Sequence, residues 1–318
     1  MKYIIGIFVV LFLVSCENEL DLVKEFKEVP VVYGLLDRTE ETQYIRVERA
    51  FADKTISAND IAQNPDSLYY DNIEVRLINK NTNAQAILER IDGADEGLPR
   101  DGGVFASSPN YLYKVNTVDF PMGEGDSIML SISNIFEDRD VTATTDIFKP
   151  PFFVSPNTLN FERGRQFKLS WNPSEDPTVY SAIFTFNVTE NRNGIETDTA
   201  LRWVVMNNSA RTQLDIEGES FFTFLRSSLE ESSEVTRSMG TGQFELISGN
   251  TDVSDYIRVG QANLGITSSG EIPIFSNISE GLGIFGSKVT DRRSGLPFRD
   301  STIDSLLNGS ITKSLNFQ

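Results

Sequence analysis

Segments in which apolar and polar residues alternate recur through the first half of the chain. In the stretch 43–51, Ile45 and Val47 alternate with Arg46 and Glu48, which is typical of a half-buried strand. Residues that favour turns, mainly glycine, asparagine and aspartate, separate these segments. The pattern predicts strands at 30–36, 43–51, 73–78, 84–91, 111–115, 127–132 and 141–147. Seven short strands within residues 30–149 predict an antiparallel β-sandwich.

A second β-rich domain is predicted from 150 to 318. Lys149-Pro150-Pro151 marks its start, because consecutive prolines fix φ and stiffen a linker. Residues 167–188 contain Trp171 and Tyr180 on successive strand-like segments. This stretch resembles the start of a fibronectin type III sandwich, in which a tryptophan packs against the next tyrosine-bearing strand. Further strands are predicted at 200–206, 242–247, 255–262, 272–274 and 282–289. The chain is therefore expected to be mostly β, with two Ig-like or fibronectin-III-like sandwich domains.

One segment of the second domain has helical spacing. Phe221, Phe222, Leu225 and Leu229 recur every three or four residues within 219–230. We predict a single short helix here, with its phenylalanines packed on the sandwich. The alternative is that these rings form an aromatic platform for a ligand.

The predicted loop at 54–72 is long for a compact domain. Loops of this length are often functional or mobile, and this one is expected to contain a short helix. We expect it to contribute to ligand capture.

The N-terminus contains the only cysteine of the chain. Lys2 precedes an apolar run from 4 to 14, which is shorter than the roughly 20 residues that cross a bilayer. A charged start, a short apolar centre and small residues at the end predict a signal peptide over 1–15. Leu13-Val14-Ser15-Cys16 resembles the bacterial lipobox, which implies cleavage before Cys16 and acylation of its thiol, with palmitate as an expected chain.

Residues 16–29 are expected to be an acidic tether that follows the lipidated Cys16. In some Gram-negative lipoproteins an acidic stretch in this place resembles a surface-export signal. Both interpretations stay open. The predicted location is the outer membrane, with the protein held by its lipid and facing either the periplasm or the cell surface.

Composition narrows the chemistry that this chain can perform. The 318 residues carry a formal net charge of -18, which opposes binding to nucleic acid. The chain has no histidine, so catalytic triads that need an imidazole base and histidine-ligated metal sites are excluded. Carboxylate, Ser-Lys or Tyr chemistry and oxygen-ligated calcium or magnesium stay open. We expect no enzyme activity, cofactor or metal.

Two groups of acidic residues are candidate calcium ligands. Their spacing does not match an EF-hand loop, so we favour solvated loops over metal sites. The groups are Asp92, Asp95, Glu96 and Asp101, and Asp60, Asp66 and Asp71.

The two tryptophans and a group of three glycines have structural interpretations, and the glycines also have a functional one. Trp171 and Trp203 lie in strand-like segments and are expected in the core. Gly281, Gly283 and Gly286 alternate with apolar residues, which indicates close approach of another backbone. We favour tight packing of two sheets there over a docking surface or ligand wall.

Three segments together resemble a known family of lipoproteins. They are VVYGLLDRTEETQYIRVERAF at 31–51, DYIRVGQANL at 255–264 and PIFSNISEGLGIFGS at 273–287. Their order and spacing are similar to those of DUF4249-type outer-membrane lipoproteins, which are encoded beside TonB-dependent receptors. The resemblance implies an accessory of a nutrient transporter, and it carries over no catalytic residue.

The sequence thus predicts a lipid-anchored binding protein that partners a TonB-dependent receptor. Its ligand, whether a small molecule, a peptide or a glycan, is not specified by the sequence. The alternatives are a carboxylate-dependent surface hydrolase acting on glycans or peptides, and a purely structural envelope lipoprotein.

Overall fold

The computed structural model describes residues 29–50, 56–173, 179–262 and 274–318. The signal peptide and Cys16 therefore lie outside the described residues. The strands are β1 Val29–Leu36, β2 Thr42–Ala50, β3 Glu74–Asn79, β4 Gln85–Ile87, β5 Glu89–Asp92, β6 Tyr111–Asn116, β7 Ser127–Ser133, β8 Val141–Asp146, β9 Phe152–Ser155, β10 Gln166–Asn172, β11 Val179–Arg192, β12 Ile195–Ser209, β13 Gln213–Glu217, β14 Val235–Gly249 and β15 Leu282–Leu296. The α-helices are α1 Ala58–Ala62, α2 Pro65–Leu68, α3 Gly218–Ser228, α4 Thr251–Ala262 and α5 Asp300–Asn308, and 3-10 turns cover Gly93–Glu96 and Lys313–Leu315.

An eight-stranded sheet runs through both halves of the chain. Its strand order is β12-β11-β14-β15-β1-β2-β6-β5. All its neighbours pair antiparallel except β1 and β15, which run parallel with Val31 opposite Leu282 and Leu36 opposite Ser287. The sheet thus crosses the linker predicted at 149–151. The division into two domains at that linker stays a prediction.

Two smaller sheets cover different parts of the long sheet. One sheet has the strand order β4-β3-β7-β8, and the other has the order β13-β10-β9. Strand alternation produces the first core, since Val32 on β1 and Leu77 on β3 are fully buried in the same cluster. A second cluster joins β10, β11 and β14 with helices α3 and α5. The prediction of a mostly β protein with antiparallel sheets is confirmed.

The predicted helix at 219–230 is confirmed as α3. Phe221, Phe222 and Leu225 are buried in the second cluster, and the Phe221 ring stacks on Phe161 with 4.4 Å between centroids. These rings therefore pack in the core and do not form an exposed platform. Helical spacing identified them because residues three and four apart share one face of a helix.

The strand predicted at 255–262 is wrong, because these residues belong to helix α4. Val253 and Tyr256 are three residues apart and so share one side of the helix. The side chain of Asn250 caps its start by accepting from the Val253 amide at 3.2 Å. Tyr256, Ile257 and Val259 favour strands locally, but this cap and the packing of Val253 against Gly249 and Gly286 favour the helix. The expectation of one helix was also too low, since α5 is a further one.

Two other strand predictions need correction. The segment 84–91 is not one strand: β4 and β5 belong to different sheets. Between them, the buried Leu88 donates its amide to the Val75 carbonyl at 2.8 Å, so the chain changes sheets at this residue. Of the strand predicted at 272–274, only Ile274 is described, and it is not in a strand.

The long loop predicted at 54–72 contains the two short helices α1 and α2 from residue 58 onward. Ser57 and Asn64 cap them through their side-chain oxygens. Residues 54 and 55 lie outside the described part. Among the described helices, none has both the length and the apolar character needed to cross a membrane.

Candidate functional site

A cleft of about 680 Å³ lies on the long sheet where β15, β1 and β2 are neighbours. Val31 and Tyr33 line it from β1, on the opposite face from the buried Val32. This arrangement follows from strand geometry, because successive side chains point to opposite faces of a sheet. The cleft is therefore built on the face of β1 that is turned away from the first core.

Segments from distant parts of the chain complete the cleft. Leu68 of α2, Arg100 and Phe105 come from the first half of the chain, and Tyr256 of α4 with Ile274 and Phe275 from the second half. Volumes of about 300–1,000 Å³, a mostly apolar lining and a few polar groups are typical of ligand sites. The cleft has these properties.

A buried carboxylate holds two arginines at the polar end of the cleft. Glu48 is 8% exposed, and its Oε1 lies 2.8 Å from Arg100 Nη1 and 3.3 Å from Arg46 Nη1. Arg46 and Glu48 point the same way because they are two residues apart on β2. A charge that is buried this far needs such partners, so the three side chains form one unit.

Arg100 is positioned by further contacts. Its guanidinium carbon lies 4.8 Å from the centre of the Phe105 ring, a cation–π arrangement. Its Nη1 also lies 3.4 Å from the Tyr69 hydroxyl, which donates to the Pro109 carbonyl at 3.0 Å. Burial raises the pKa of Tyr69, so this phenol stays neutral around pH 7 and can donate.

Three aromatic rings form a second group in the lining of the cleft. Tyr33 and Tyr256 meet edge to face with centroids 6.4 Å apart, and Tyr256 meets Phe275 in the same way at 6.5 Å. Burial, followed by the neighbouring Tyr256, raises the pKa of Tyr33 to about 12, because the phenolate loses hydration. Tyr33 is nonetheless 40% exposed. Its neutral ring is accessible to a ligand.

Arg49 connects the region 54–72 to the sheet. Its Nη2 donates to the Asp66 carbonyl at 2.8 Å and its Nε to the Ser67 carbonyl at 3.2 Å. These bonds hold α2 over the end of β2 and place Leu68 in the lining. The described part of this region thus contributes Leu68 to the lining of the cleft.

The acidic residues weighed as metal ligands are engaged in local structure or exposed. Asp92 accepts from the amides of Ala94 and Asn110 at 3.0 and 3.1 Å, and Glu96 pairs with Lys114. Asp95 and Asp101 are exposed, as are Asp60, Asp66 and Asp71. Within the ranges that the structure describes, no three acidic, cysteine or histidine side chains are grouped to hold a metal ion.

The two tryptophans lie in or beside the second core. Trp171 is 3% exposed and packs against Tyr180 with ring centroids 5.5 Å apart, as the sequence predicted. Trp203 is half-buried at the margin of the cluster and stacks on Phe224 at 5.3 Å. Neither lines the cleft.

The predicted glycine segment lies at the pairing of β15 with β1. A Cβ on Gly281 would lie 2.8 Å from the Pro30 carbonyl oxygen, and one on Gly286 would lie 2.9 Å from Val253 Cγ2. Gly283 has a φ of 108° and faces the Val32 carbonyl. Close approach of another backbone is confirmed, but the close contacts are with β1 of the same sheet and with helix α4 rather than between two sheets. Gly283 also lines the cleft, so this residue both packs closely against β1 and forms part of the cleft wall.

Sequence analysis did not identify the polar unit of the cleft. The alternating pattern predicts Glu48 and Arg46 only as the polar face of a half-buried strand. The sequence signal was two opposite charges on one face of β2, and nothing local indicated that Arg100 would cover them from 52 residues away.

Comparisons with known proteins do not identify a family. No family model matches the chain, and no curated protein does. Among solved structures, a chain of a "Cytokine receptor complex - Crystal form 1A" is 10% identical, with 83% of this chain and 96% of that chain covered and a TM-score of 0.22.

Proposed function

We propose that this chain is a lipid-anchored binding protein of the cell envelope that captures a ligand in the cleft and partners a TonB-dependent transporter. The cleft is the observation that carries the binding role. It offers accessible aromatic rings, apolar walls and a buried polar unit within one cavity of about 680 Å³.

The anchor and the partner are supported by the sequence. The lipobox-like residues before Cys16 support attachment to the outer membrane by a lipid. The resemblance to DUF4249-type lipoproteins supports association with a transporter. The two-sandwich architecture is part of this proposal, and two separate hydrophobic clusters support it.

Binding is favoured over hydrolysis by the composition of the cleft. Glycosidases of the common type use two carboxylates about 5–10 Å apart. Among the described lining residues, Glu48 is the one carboxylate, and two arginines bind it. Its oxygens serve to hold the arginines in place.

Co-purification tests the accessory role. The tagged, lipidated protein is extracted from outer membrane in detergent, and its partners are identified by mass spectrometry. Stoichiometric recovery of a TonB-dependent receptor is expected. Recovery of the bait alone would contradict the partnership and would direct the search to glycan or peptide hydrolysis.

The Cys16→Ala variant tests the anchor. It removes the acylated thiol, so the protein should leave the membrane fraction and carry no acyl chain in an intact-mass measurement. Ser15→Ala, which keeps the thiol and a small residue before it, is the matched control and should stay anchored. A Cys16→Ala protein that still fractionates with membrane would contradict the lipid anchor.

A further inference from the structure

We propose that the cleft binds a short apolar peptide by its C-terminal carboxylate, with Arg46 and Arg100 as the anion-binding residues. This inference rests on the proposed capture function and specifies its ligand class. It begins from the charge of the cleft.

The cleft is basic although the protein is strongly acidic. Two arginines of its described lining, Arg46 and Arg100, share a single carboxylate, Glu48, whereas the whole chain has a net charge of -18. A cationic cavity in an acidic protein attracts anions locally while the rest of the surface repels them. The cleft is therefore complementary to a negatively charged group.

Arg46 has donors that remain available for a ligand. A guanidinium has five N–H donors in a fork that matches a carboxylate. Within the described part of the chain, Arg46 donates to Glu48 alone, and a quarter of its side chain is exposed. Glu48, which Arg100 also binds, thus holds one end of the Arg46 guanidinium. The other N–H donors of this guanidinium are free to bind an incoming carboxylate.

The apolar walls indicate what accompanies this carboxylate. Val31, Leu68, Leu282 and Phe275 line the rest of the cavity, with Ile274 and Phe105 exposed at its margin. A polyol would need acceptors for its many hydroxyls, and Glu48 provides the only carboxylate in the described lining. Apolar side chains of a peptide would instead gain from burial against these walls.

A matched pair of ligand sets tests the carboxylate. The purified, lipidated protein in detergent is incubated with N-acetylated tripeptides that combine Leu, Val and Phe, supplied as free acids and as C-terminal amides. Ultrafiltration and mass spectrometry measure which are retained. We expect the best acids to bind at least about tenfold more tightly than their amides, with an advantage that shrinks as salt increases.

Two cleft variants should change acid binding in opposite directions. Arg46→Gln should weaken the binding of the acids about tenfold and leave the amides unchanged. Glu48→Gln keeps a side-chain oxygen that can accept from both arginines and so hold them in place, but it removes the negative charge that competes with the ligand, so it should strengthen the binding of the acids. Arg192→Gln, on the distant β11–β12 hairpin where its partner Glu234 is 3.9 Å away, is the control and should change neither. Circular dichroism verifies that each variant is folded.

Several results would overturn this inference. These are equal retention of acids and amides, retention of neither, or a Glu48→Gln variant that binds the acids more weakly than the unchanged protein. Preferential retention of trigalacturonate, which places carboxylates on a polyol, would replace the peptide by an acidic glycan. None of these results depends on the transporter, so co-purification of a receptor would still support the accessory role if the peptide assignment failed.

Discussion

The pairing of β1 with β15 depends on a glycine that no other residue can easily replace. Gly283 has a φ of 108°, and a Cβ added there would overlap the Val32 carbonyl oxygen and lie 2.9 Å from its carbonyl carbon. Both atoms belong to the backbone of β1, which cannot rotate away as a side chain could. Gly283→Ala should therefore separate the parallel ladder that joins the two parts of the long sheet.

The expected cost has two components. Holding a non-glycine residue in a sparsely populated backbone region costs about 1–3 kcal/mol. Displacing the ladder weakens backbone hydrogen bonds, each worth about 0.5–1.5 kcal/mol net. We expect Gly283→Ala to lower the free energy of unfolding by about 3 kcal/mol or more.

Gly295→Ala is the matched control. Gly295 lies in the same strand with a φ of 69°, and a Cβ there would meet nothing within 4 Å. It should thus show the backbone cost alone, about 1–2 kcal/mol. The difference between the two variants isolates the clash with β1.

Urea unfolding measures both variants with two probes. The chain has two tryptophans, and both are in or against the second cluster, so their fluorescence reports on that side of the long sheet. Far-UV circular dichroism reports on all sheets. If Gly283→Ala costs no more than Gly295→Ala, the argument from close backbone approach is wrong.

Two further perturbations have defined outcomes. Arg237 is 2% exposed, pairs with the partly exposed Glu190 at 2.7 Å, and donates to the Leu315 and Glu230 carbonyls at 2.7 and 2.9 Å. Arg237→Met leaves these carbonyls without their donor and should lower the free energy of unfolding by about 2–3 kcal/mol in urea. Arg192→Gln, at the exposed 3.9 Å pair, should cost under about 0.5 kcal/mol, and equal costs would refute the burial argument. Burial raises the pKa of the Asp252 carboxyl group. The folded state therefore binds the carboxyl proton more tightly than the unfolded state, and the free energy of unfolding should fall as pH rises from about 4 through the raised pKa. Asp252→Asn should reduce the fall of the urea midpoint between about pH 4 and pH 7. A fall with pH as steep as in the unchanged protein would contradict its attribution to Asp252.

The strands of the first half were predictable because their signal is local. β1, β2, β3, β6, β7 and β8 begin and end within two residues of their predicted bounds in the described chain. In β1, β3 and β8 buried residues recur at every second position, as expected of strands with one face in a core and the other turned away. The same reasoning located α3 from its spacing of three and four.

The missed features depend on contacts that are distant in sequence. Nothing near Val31 indicates that its neighbour will be Leu282, and a parallel pair needs a long connection rather than a turn. Helix α4 was missed because its β-branched and aromatic residues favour strands, while the Asn250 cap and the packing of Val253 decide the outcome. The local sequence pattern identified most strands and one helix. It did not indicate which of their faces a later segment of the chain would cover.

The cleft is a consequence of that distant pairing. Val31, Tyr33, Arg46 and Glu48 come from strands that the sequence assigned to the first domain, whereas Tyr256, Phe275, Leu282 and Gly283 come from the second. Joining β15 to β1 brings these groups to one face, and the missing side chain at Gly283 permits the close approach. A ligand held by both sets of residues would stabilise the junction by RT ln(1 + [L]/Kd), because it binds the folded state and not the unfolded one. Binding and the integrity of the long sheet are thus coupled through the same few residues.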